Sequence, residues 1–593
     1  MRGVFDPIVQ FSPFGGTLRE ELVAGGTSGK INPENDVDVK AGTDRSMFVY
    51  VPKSGCPHAK QTQVLMVLRA DAGEQSARRA LDGLGLARLA EDRHFLVVFP
   101  NPEEGGWNFE LDPAREDDAS FIVRCFAALP RLEAHVAGFN GMIFHLACDE
   151  TSSAMALALA ASSPLDAAAV MVGSTPEGFE FSGMASQVAW LYERNEQAAA
   201  RLDEVDDVIS EREPATGVVR HVGTGGPSIC WYQSMGGLDA ETLVQAWDLM
   251  FSETRRWRND SFGTYQPRVH FAELGFVSHV GEVLPGTGDE LPRSWHEFVP
   301  EGVRTSAEPA PLVIYLHGIN CVGLYGAEQS GWASIAQREG LMAVFPDATI
   351  ENRWNVWDDP CLPSDVAFIR ALIEHMDRVH PVDRRRVYVS GFSMGSMFSN
   401  TLAASCPELF AGAVALNGPA LGLLETLDQS RPGMALLNPS SVITQLERSD
   451  EPLSPARVEA DRHAGDSRTK MPFVQFVGLL DSVGIGVGHS WPVQDADDGM
   501  WPQTVAFWKR FDGIAAAPLM DASTPTGIAS DSCVREGERY WHQSWGVGSD
   551  VGLYHLISAE RMPHAVALDE VELGWEIVRR WVRNADGSLE WLG

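Results

Sequence analysis

The sequence predicts an α/β protein built twice over, as two tandem domains, each a mostly parallel sheet flanked by helices on both faces. Three observations carry that expectation. Apolar strand-length runs alternate with amphipathic helical stretches, and strands buried between helical layers read as continuous apolar runs. The same succession of signals occurs once in each half. In the second half, Gly391-Phe392-Ser393-Met394-Gly395 directly follows Arg386-Val387-Tyr388-Val389-Ser390.

Along the second half, strands are expected near 268–280, 294–299, 311–316, 341–346, 386–390, 411–417, 472–478 and 553–559. Helices are expected near 330–339, 364–379, 394–406, 498–511 and 567–583. The stretch 281–292, GEVLPGTGDELP, reads as a turn between early strands. A domain boundary near 260–268 follows, giving domains 1–262 and 263–593.

The first half echoes these signals in order. Arg45-Ser46 through Pro52 matches Arg293-Ser294 through Pro300, and Val64 to Leu68 before Arg69-Ala70 matches Val313 to Leu316 before His317-Gly318. Val98-Phe99-Pro100-Asn101 with Trp107-Asn108 matches Val344-Phe345-Pro346-Asp347 with Trp354-Asn355. Leu159 to Pro164 matches Leu402 to Pro407. Matches in one order at nearly constant offset indicate a tandem duplication. Two insertions, 177–226 (with a helical stretch around 184–204) and 420–470, are expected above the carboxyl edges of the sheets, where such segments cap pockets.

Composition narrows the function classes. With 593 residues, the chain exceeds one core. Its 81 acidic and 46 basic residues give a net charge of -35, which argues against nucleic acid and anionic membranes as partners. The plain reading of that charge is a solvated acidic surface, and steering of cationic substrates is the alternative. No window approaches the roughly 18 apolar residues of a membrane span, and residues 1–26 lack the apolar core of a signal peptide. The 8 cysteines stand singly, without C-x-x-C spacing. A reduced, cytoplasmic protein without a metal or other cofactor is expected, although a secreted form with its signal removed would read the same. A homo-oligomer formed through the N-terminal domain is a further expectation.

The chemistry centres on Ser393. A strand, G-x-S-x-G and a helix form a nucleophile elbow, a turn so sharp that a side chain at either flanking position would clash. The pentapeptide alone carries little weight in a chain with 56 Gly, so its position between strand and helix is what counts. Serine needs a base to take its proton and a carboxylate to orient that base, in chain order Ser, acid, His. Asp481 follows the strand ending at Gly478, where the acid belongs, whereas Asp495, Asp497 and Asp498 lie in a polar run that reads as solvated loop. His564 lies between the last strand and the last helix. His489 would give an unusual order, and His555 reads as a structural histidine inside the strand. For the oxyanion, the donors are the amides of Met394 and Ile319, with Asn320 as second choice. His317 reads as a brace for that loop. Trp332, Trp354 and Trp357 read equally as pocket lining or packing.

These residues carry a resemblance. His317-Gly318, Ser330-Gly331-Trp332 with Ala336 and Gly340, and the strand ending Val344-Phe345-Pro346-Asp347 resemble the poly(3-hydroxybutyrate) depolymerase and feruloyl/acetyl-xylan esterase group of α/β-hydrolases. So do Ser364 to Ile369, Val382-Asp383 with Arg386 to Val389, Pro407 to Ala411, Met562 to Ala565, Trp575 and Asn584 to Ser588. The resemblance spans about 268–593 and implies a serine hydrolase of carboxylic esters, with Ser393, Asp481 and His564 at the matching positions. Met394 and Ser396 depart from the pair more usual in that group.

The first half is expected to be a degenerate, non-catalytic copy. Ser393 falls on Glu150 (Asp149 if the register slips by one), Gly391 on Cys148, Gly395 on Ser152, and His317-Gly318 on Arg69-Ala70. The run 227–232 leads to Gly236 with no acid, and nothing answers to His564. The leading expectation is therefore a serine carboxylic-ester hydrolase acting on short-chain, hydroxyacid or aromatic esters, with a small-molecule ester as its partner. A serine peptidase, an acyltransferase on the same scaffold and a non-enzymatic binding protein are the alternatives.

Overall fold

The computed structural model describes residues 16–26, 29–30, 38–53, 63–108, 116–129, 143–152, 155–156, 169–172, 210–212, 218–221, 228–232, 239–252, 254–255, 266–267, 269–319, 321–350, 352–424, 453–479, 481, 500–514, 531–536, 540–546, 552–559, 562 and 564–593. Asn320, His489, Asp495, Asp497, Asp498, Gly236 and the stretch 184–204 lie outside them. Contacts divide the chain into two compact units, Met1–Arg268 and Val269–Gly593.

The first unit holds a 9-stranded sheet made of β1 (Thr17–Val23), β2 (Arg45–Val51), β3 (Gln63–Leu68), β4 (Leu96–Pro100), β5 (Ile143–Cys148), β6 (Ala169–Val172), β7 (Ser210–Arg212), β8 (Val218–His221) and β9 (Ser228–Tyr232). Its order is β1-β2-β4-β3-β5-β6-β9-β8-β7. Helices α1 (Glu74–Gly83), α2 (Leu86–Arg93) and α3 (Asp118–Ala128) cover it. Side chains alternate across β3 with period two: Val64, Met66 and Leu68 pack with Ile122 and Phe126 of α3, whereas Leu65 and Val67 pack with Leu81 and Leu89 of α1 and α2.

The second unit holds a 10-stranded sheet made of β10 (Val277–Val283), β11 (Pro292–Phe298), β12 (Ala310–Leu316), β13 (Met342–Pro346), β14 (Val382–Phe392), β15 (Gly412–Leu416), β16 (Phe473–Gly478), β17 (Asp531–Glu536), β18 (Tyr540–Trp545) and β19 (Tyr554–Ala559). Its order, β10-β11-β13-β12-β14-β15-β16-β19-β18-β17, follows the crossing pattern of the first sheet with one strand more, β16, set between β15 and β19. The helices are α4 (Gly323–Ser330), α5 (Trp332–Glu339), α6 (Asp365–Val379), α7 (Met394–Ser405), α8 (Pro455–His463), α9 (Met500–Phe511) and α10 (Leu568–Val578). On β12, Leu312, Ile314 and Leu316 face Phe368 and Leu372 of α6, while Val313 and Tyr315 face Trp332 and Ile335 of α5. Helical layers thus bury both faces of the sheet.

Each sheet is mixed, a departure from the mostly parallel arrangement expected. In the second sheet the run β13-β12-β14-β15-β16-β19 pairs in parallel through the middle. Antiparallel pairs flank them at both edges, β10–β11–β13 and β19–β18–β17. The short connection 537–539 between β17 and β18 leaves room for a hairpin but not for a crossover helix.

Other elements shift for identifiable reasons. The strand expected over 268–280 begins only at Val277, because Phe271–Leu274 forms a helical turn ended by Gly275 at φ 81°. The helix expected over 567–583 stops at Val578, and Trp581–Arg583 turns into a strand paired with Leu589–Trp591. Part of the insertion 420–470 is core: Ala456 and Ala460 of α8 are buried, and Ser405 Oγ donates to Ala456 O at 3.2 Å. Part of 177–226 is the edge pair β7–β8.

Candidate active site

β14 ends at Phe392 and α7 begins at Met394, so Ser393 alone makes the turn, at φ 55° and ψ -118°. A non-glycine residue held in such a region costs on the order of 1–3 kcal/mol and persists only where its surroundings over-determine it. Here the Ser393 amide donates to Leu416 O at 2.9 Å, and the Met397 amide donates to Ser393 O at 3.0 Å. The flanking glycines are required by space. A Cβ on Gly395 would stand 2.0 Å from Leu316 O, and one on Gly391 2.3 Å from Gly395 O. Every residue of α7 is buried, and its polar side chains are bonded: Ser396 Oγ donates to Gly418 O at 2.7 Å, and Ser399 Oγ to Gly395 O at 2.8 Å. Ser396 thus braces the loop after β15.

The candidate acid and the candidate base arrive on neighbouring strand ends. Asp481 lies just beyond β16, with its amide donating to Gly478 O at 3.1 Å. His564 lies between β19 and α10. Its Nε2 is 2.8 Å from Ser393 Oγ, and its Nδ1 is 2.8 Å from Asp481 Oδ2. Asp481 is fully buried, at 0% exposure, and Ser393 is 7% exposed. With Nδ1–H donating to the carboxylate, Nε2 is left as the acceptor for the serine hydroxyl. The Phe392 ring packs 4.9 Å from the His564 ring.

Met394 opens α7 directly beside Ser393, at the end of the helix where backbone N–H groups are unsatisfied and the dipole is positive. Ile319 follows Gly318, where an added Cβ would lie 3.3 Å from Ser393 Cβ, so the 317–319 loop abuts Ser393. His317 braces that loop: its Nδ1–H donates to Gly318 O at 2.7 Å, its Nε2 accepts from the Ala348 amide at 3.1 Å, and Trp354 Nε1 donates to its carbonyl at 2.8 Å. Both ring nitrogens are occupied, which leaves His317 no proton to exchange with a substrate. Trp332 and Trp354 are packing residues, edge-on to Trp575 at 5.7 Å and stacked on Phe398 at 5.2 Å. Trp357 is likewise buried in the core around α6 and α7. His555 is structural: its Nε2 donates to Gly552 O at 2.9 Å and its Nδ1 meets His542 Nε2 at 2.8 Å. Among the described residues, no group of three His, Cys, Asp or Glu side chains is arranged to hold a metal ion, and no helix is long and apolar enough to cross a membrane.

One residue at this site escaped the sequence reading. Asn417, fully buried just beyond β15 at φ 53°, bonds to the chain on both sides of it. The available signal was an Asn-Gly pair directly after an apolar run, which marks a backbone position needing the left-handed region.

The strand, sharp turn and helix around Ser393 resemble the arrangement of an α/β-hydrolase. Comparison with known proteins finds part of the chain similar to members of the same group that its motifs resemble. It is 32% identical over 130 residues to a poly(3-hydroxyalkanoate) depolymerase C of Paucimonas lemoignei, covering 21% of this chain and 30% of the relative. It is 28% identical over 128 residues to a bifunctional acetylxylan esterase/xylanase of Neocallimastix patriciarum, 21% of this chain and 18% of the relative. It is 32% identical over 132 residues to a feruloyl esterase B of Neurospora crassa, 21% of this chain and 44% of the relative. The chain therefore spans less than half the length of each of these relatives. No model of a known protein family matches the chain. An acetyl xylan esterase structure from Aspergillus awamori aligns at 17% identity with a TM-score of 0.36, over 51% of this chain and 99% of that one.

Proposed function

We propose that the second unit is a serine carboxylic-ester hydrolase working through Ser393, His564 and Asp481. The observation that carries the reading is the unbroken hydrogen-bonded line from Ser393 Oγ through both ring nitrogens of His564 to the buried Asp481 carboxylate. The relatives named above are ester hydrolases and a depolymerase, which supports the substrate class.

In the first half-reaction, Ser393 Oγ attacks the ester carbonyl carbon while His564 Nε2 takes the hydroxyl proton. Asp481 holds the imidazole in the Nδ1–H tautomer and stabilises the imidazolium that forms. The oxyanion rests on the amides of Met394 and Ile319, fixed dipoles that need no reorganisation as charge develops. His564 then gives its proton to the leaving alcohol, and an acyl-enzyme remains. In the second half-reaction, water attacks the acyl carbon and loses its proton to His564, and the acid leaves as Ser393 regains its hydroxyl. Short-chain, hydroxyacid or aromatic esters are the proposed substrates.

The first unit is proposed to be a catalytically silent copy. Its sheet follows the strand order of the second apart from β16, the strand that leads to Asp481, and Cys148 pairs with Leu68 in the same register as Gly391 pairs with Leu316. In that register Glu150 takes the place of Ser393 and opens a short 3-10 turn, Glu150–Ser152, with Asp149 Oδ1 accepting from the Ser152 amide at 2.8 Å. The test is hydrolysis of p-nitrophenyl acyl esters and methyl ferulate by wild type, Ser393→Ala and Glu150→Ala. Loss in Ser393→Ala alone is expected. Equal activity in Ser393→Ala and wild type would overturn the assignment.

A further inference from the structure

We infer that Asn417 is a positioning residue that fixes the acid and base loops of the site relative to the nucleophile. The inference rests on the reading of Ser393, His564 and Asp481 as the reacting groups.

Asn417 stands at the carboxyl end of β15, between the strand that carries Ser393 and the strand that leads to Asp481. Its Nδ2 donates to Ala565 O at 2.6 Å, the carbonyl next along the chain from His564. Its Oδ1 accepts from the Gly478 amide at 2.6 Å, and the Gly478 carbonyl in turn accepts from the Asp481 amide at 3.1 Å. The Asn417 amide donates to Phe476 O at 3.0 Å, which anchors the side chain's own backbone to β16. One carboxamide therefore bridges the two loops that bring His564 and Asp481 together.

The nucleophile is tied to the same point. The Ser393 amide donates to Leu416 O, the residue before Asn417. Gly418, the residue after it, lies so close that a Cβ there would stand 2.3 Å from Ser393 O. Ser396 Oγ holds the Gly418 carbonyl at 2.7 Å. The segment 416–418 thus touches the supports of all three reacting groups.

The residue type follows from the geometry. At φ 53° the backbone is in the left-handed region, which asparagine tolerates better than most side chains. The site also needs a donor on one branch and an acceptor on the other. Aspartate, isosteric, supplies only acceptors when ionised. Glycine accepts the backbone but supplies neither.

The test compares wild type, Ser393→Ala, Asn417→Asp and Asn417→Gly on one p-nitrophenyl ester, with kcat and KM measured across about pH 5 to 9 and Tm recorded for each. Asn417→Asp keeps the bond from Gly478 but sets a carboxylate against Ala565 O. Its kcat is expected to fall roughly 10- to 100-fold with KM nearly unchanged, the scale of a misplaced catalytic group. The added negative charge beside His564 favours the imidazolium, so the acid limb of kcat/KM is expected to move to higher pH. Asn417→Gly is expected to lose kcat to a similar degree without that shift, and it carries the test alone if Asn417→Asp fails to fold. Wild-type kcat and pH profile in both variants, with Tm alone reduced, would overturn the inference while leaving the triad standing. Full activity in Ser393→Ala would overturn the triad and the inference together.

Discussion

At Ser393 the chain holds a non-glycine residue at φ 55° and ψ -118°, a conformation that a helix or a strand would relax. The strain has a chemical counterpart, since the turn aims Oγ at His564 and sets the opening of α7 beside it. Removing the hydroxyl takes away the nucleophile but not the turn. Ser393→Ala is therefore expected to fold with a Tm near wild type and to lose kcat by about 10^4- to 10^6-fold on p-nitrophenyl acetate. Asp481→Asn keeps the shape but offers His564 the wrong tautomer partner, and a loss of about 10^4 in kcat is expected. A loss under tenfold in that variant would show that Asp481 does not orient the base. Ser393, Asp481 and His564 were legible in the sequence because each follows an apolar strand and chain order restricts the candidates. Asn417 was not, because its role is carried by two backbone partners, at Gly478 and Ala565, that only the folded sheet brings to it.

The elements around the site are set by close approach and by buried titratable groups. Gly395 brings α7 so near β12 that a methyl group would stand 2.0 Å from Leu316 O. Gly395→Ala is expected to cost more than about 3 kcal/mol, the upper range for overpacking, and to be read as a Tm drop or as insolubility. In β19, burial first and His542 second push the His555 imidazole down to about 3. The folded state then binds fewer protons than the unfolded one between about pH 3 and 6.5. That contribution is complete above the unfolded value and is lost as pH falls, at about 1.4 kcal/mol per pH unit. Asp512 and Asp365 act in the opposite sense, since burial raises them to about 7 and about 6, so their contribution is lost as pH rises. The difference between His555→Gln and wild type isolates the histidine. Relative to wild type, the variant's Tm is expected to rise as pH goes from 7 to 5, and an unchanged difference would contradict the account. Strand positions such as 310–316 were legible because they are continuous apolar runs, whereas α4 was not. Its sequence, GLYGAEQS, has poor helix propensity, and it forms because Gly326 lets it lie against Tyr315. The antiparallel edge β17–β18 also escaped, since its pairing depends on a hairpin rather than on an apolar run.

Across the whole molecule, 81 acidic residues against 46 basic ones leave a net charge of -35. Self-repulsion on that scale opposes the compact state and is screened by salt, with a Debye length of about 10 Å at 0.1 M. The Tm is therefore expected to rise as sodium chloride is raised from low to moderate concentration. A Tm that falls over that range would mean that attractive surface pairs such as Arg338–Glu572 outweigh the repulsion. The proposed duplication rests on core strands, which must repeat their apolar runs to repeat a sheet, while chemistry at the strand ends is free to diverge. Leu68 pairs with Cys148 as Leu316 pairs with Gly391, and that register sets Glu150 where the second unit has Ser393. The central claim is that one unit performs ester chemistry through Ser393. Its most direct test is the rate of p-nitrophenyl ester hydrolysis by wild type, Ser393→Ala and Glu150→Ala measured side by side. The account predicts turnover that Glu150→Ala retains and Ser393→Ala loses by several orders of magnitude. Activity that survives in Ser393→Ala, or that disappears in Glu150→Ala, would contradict it.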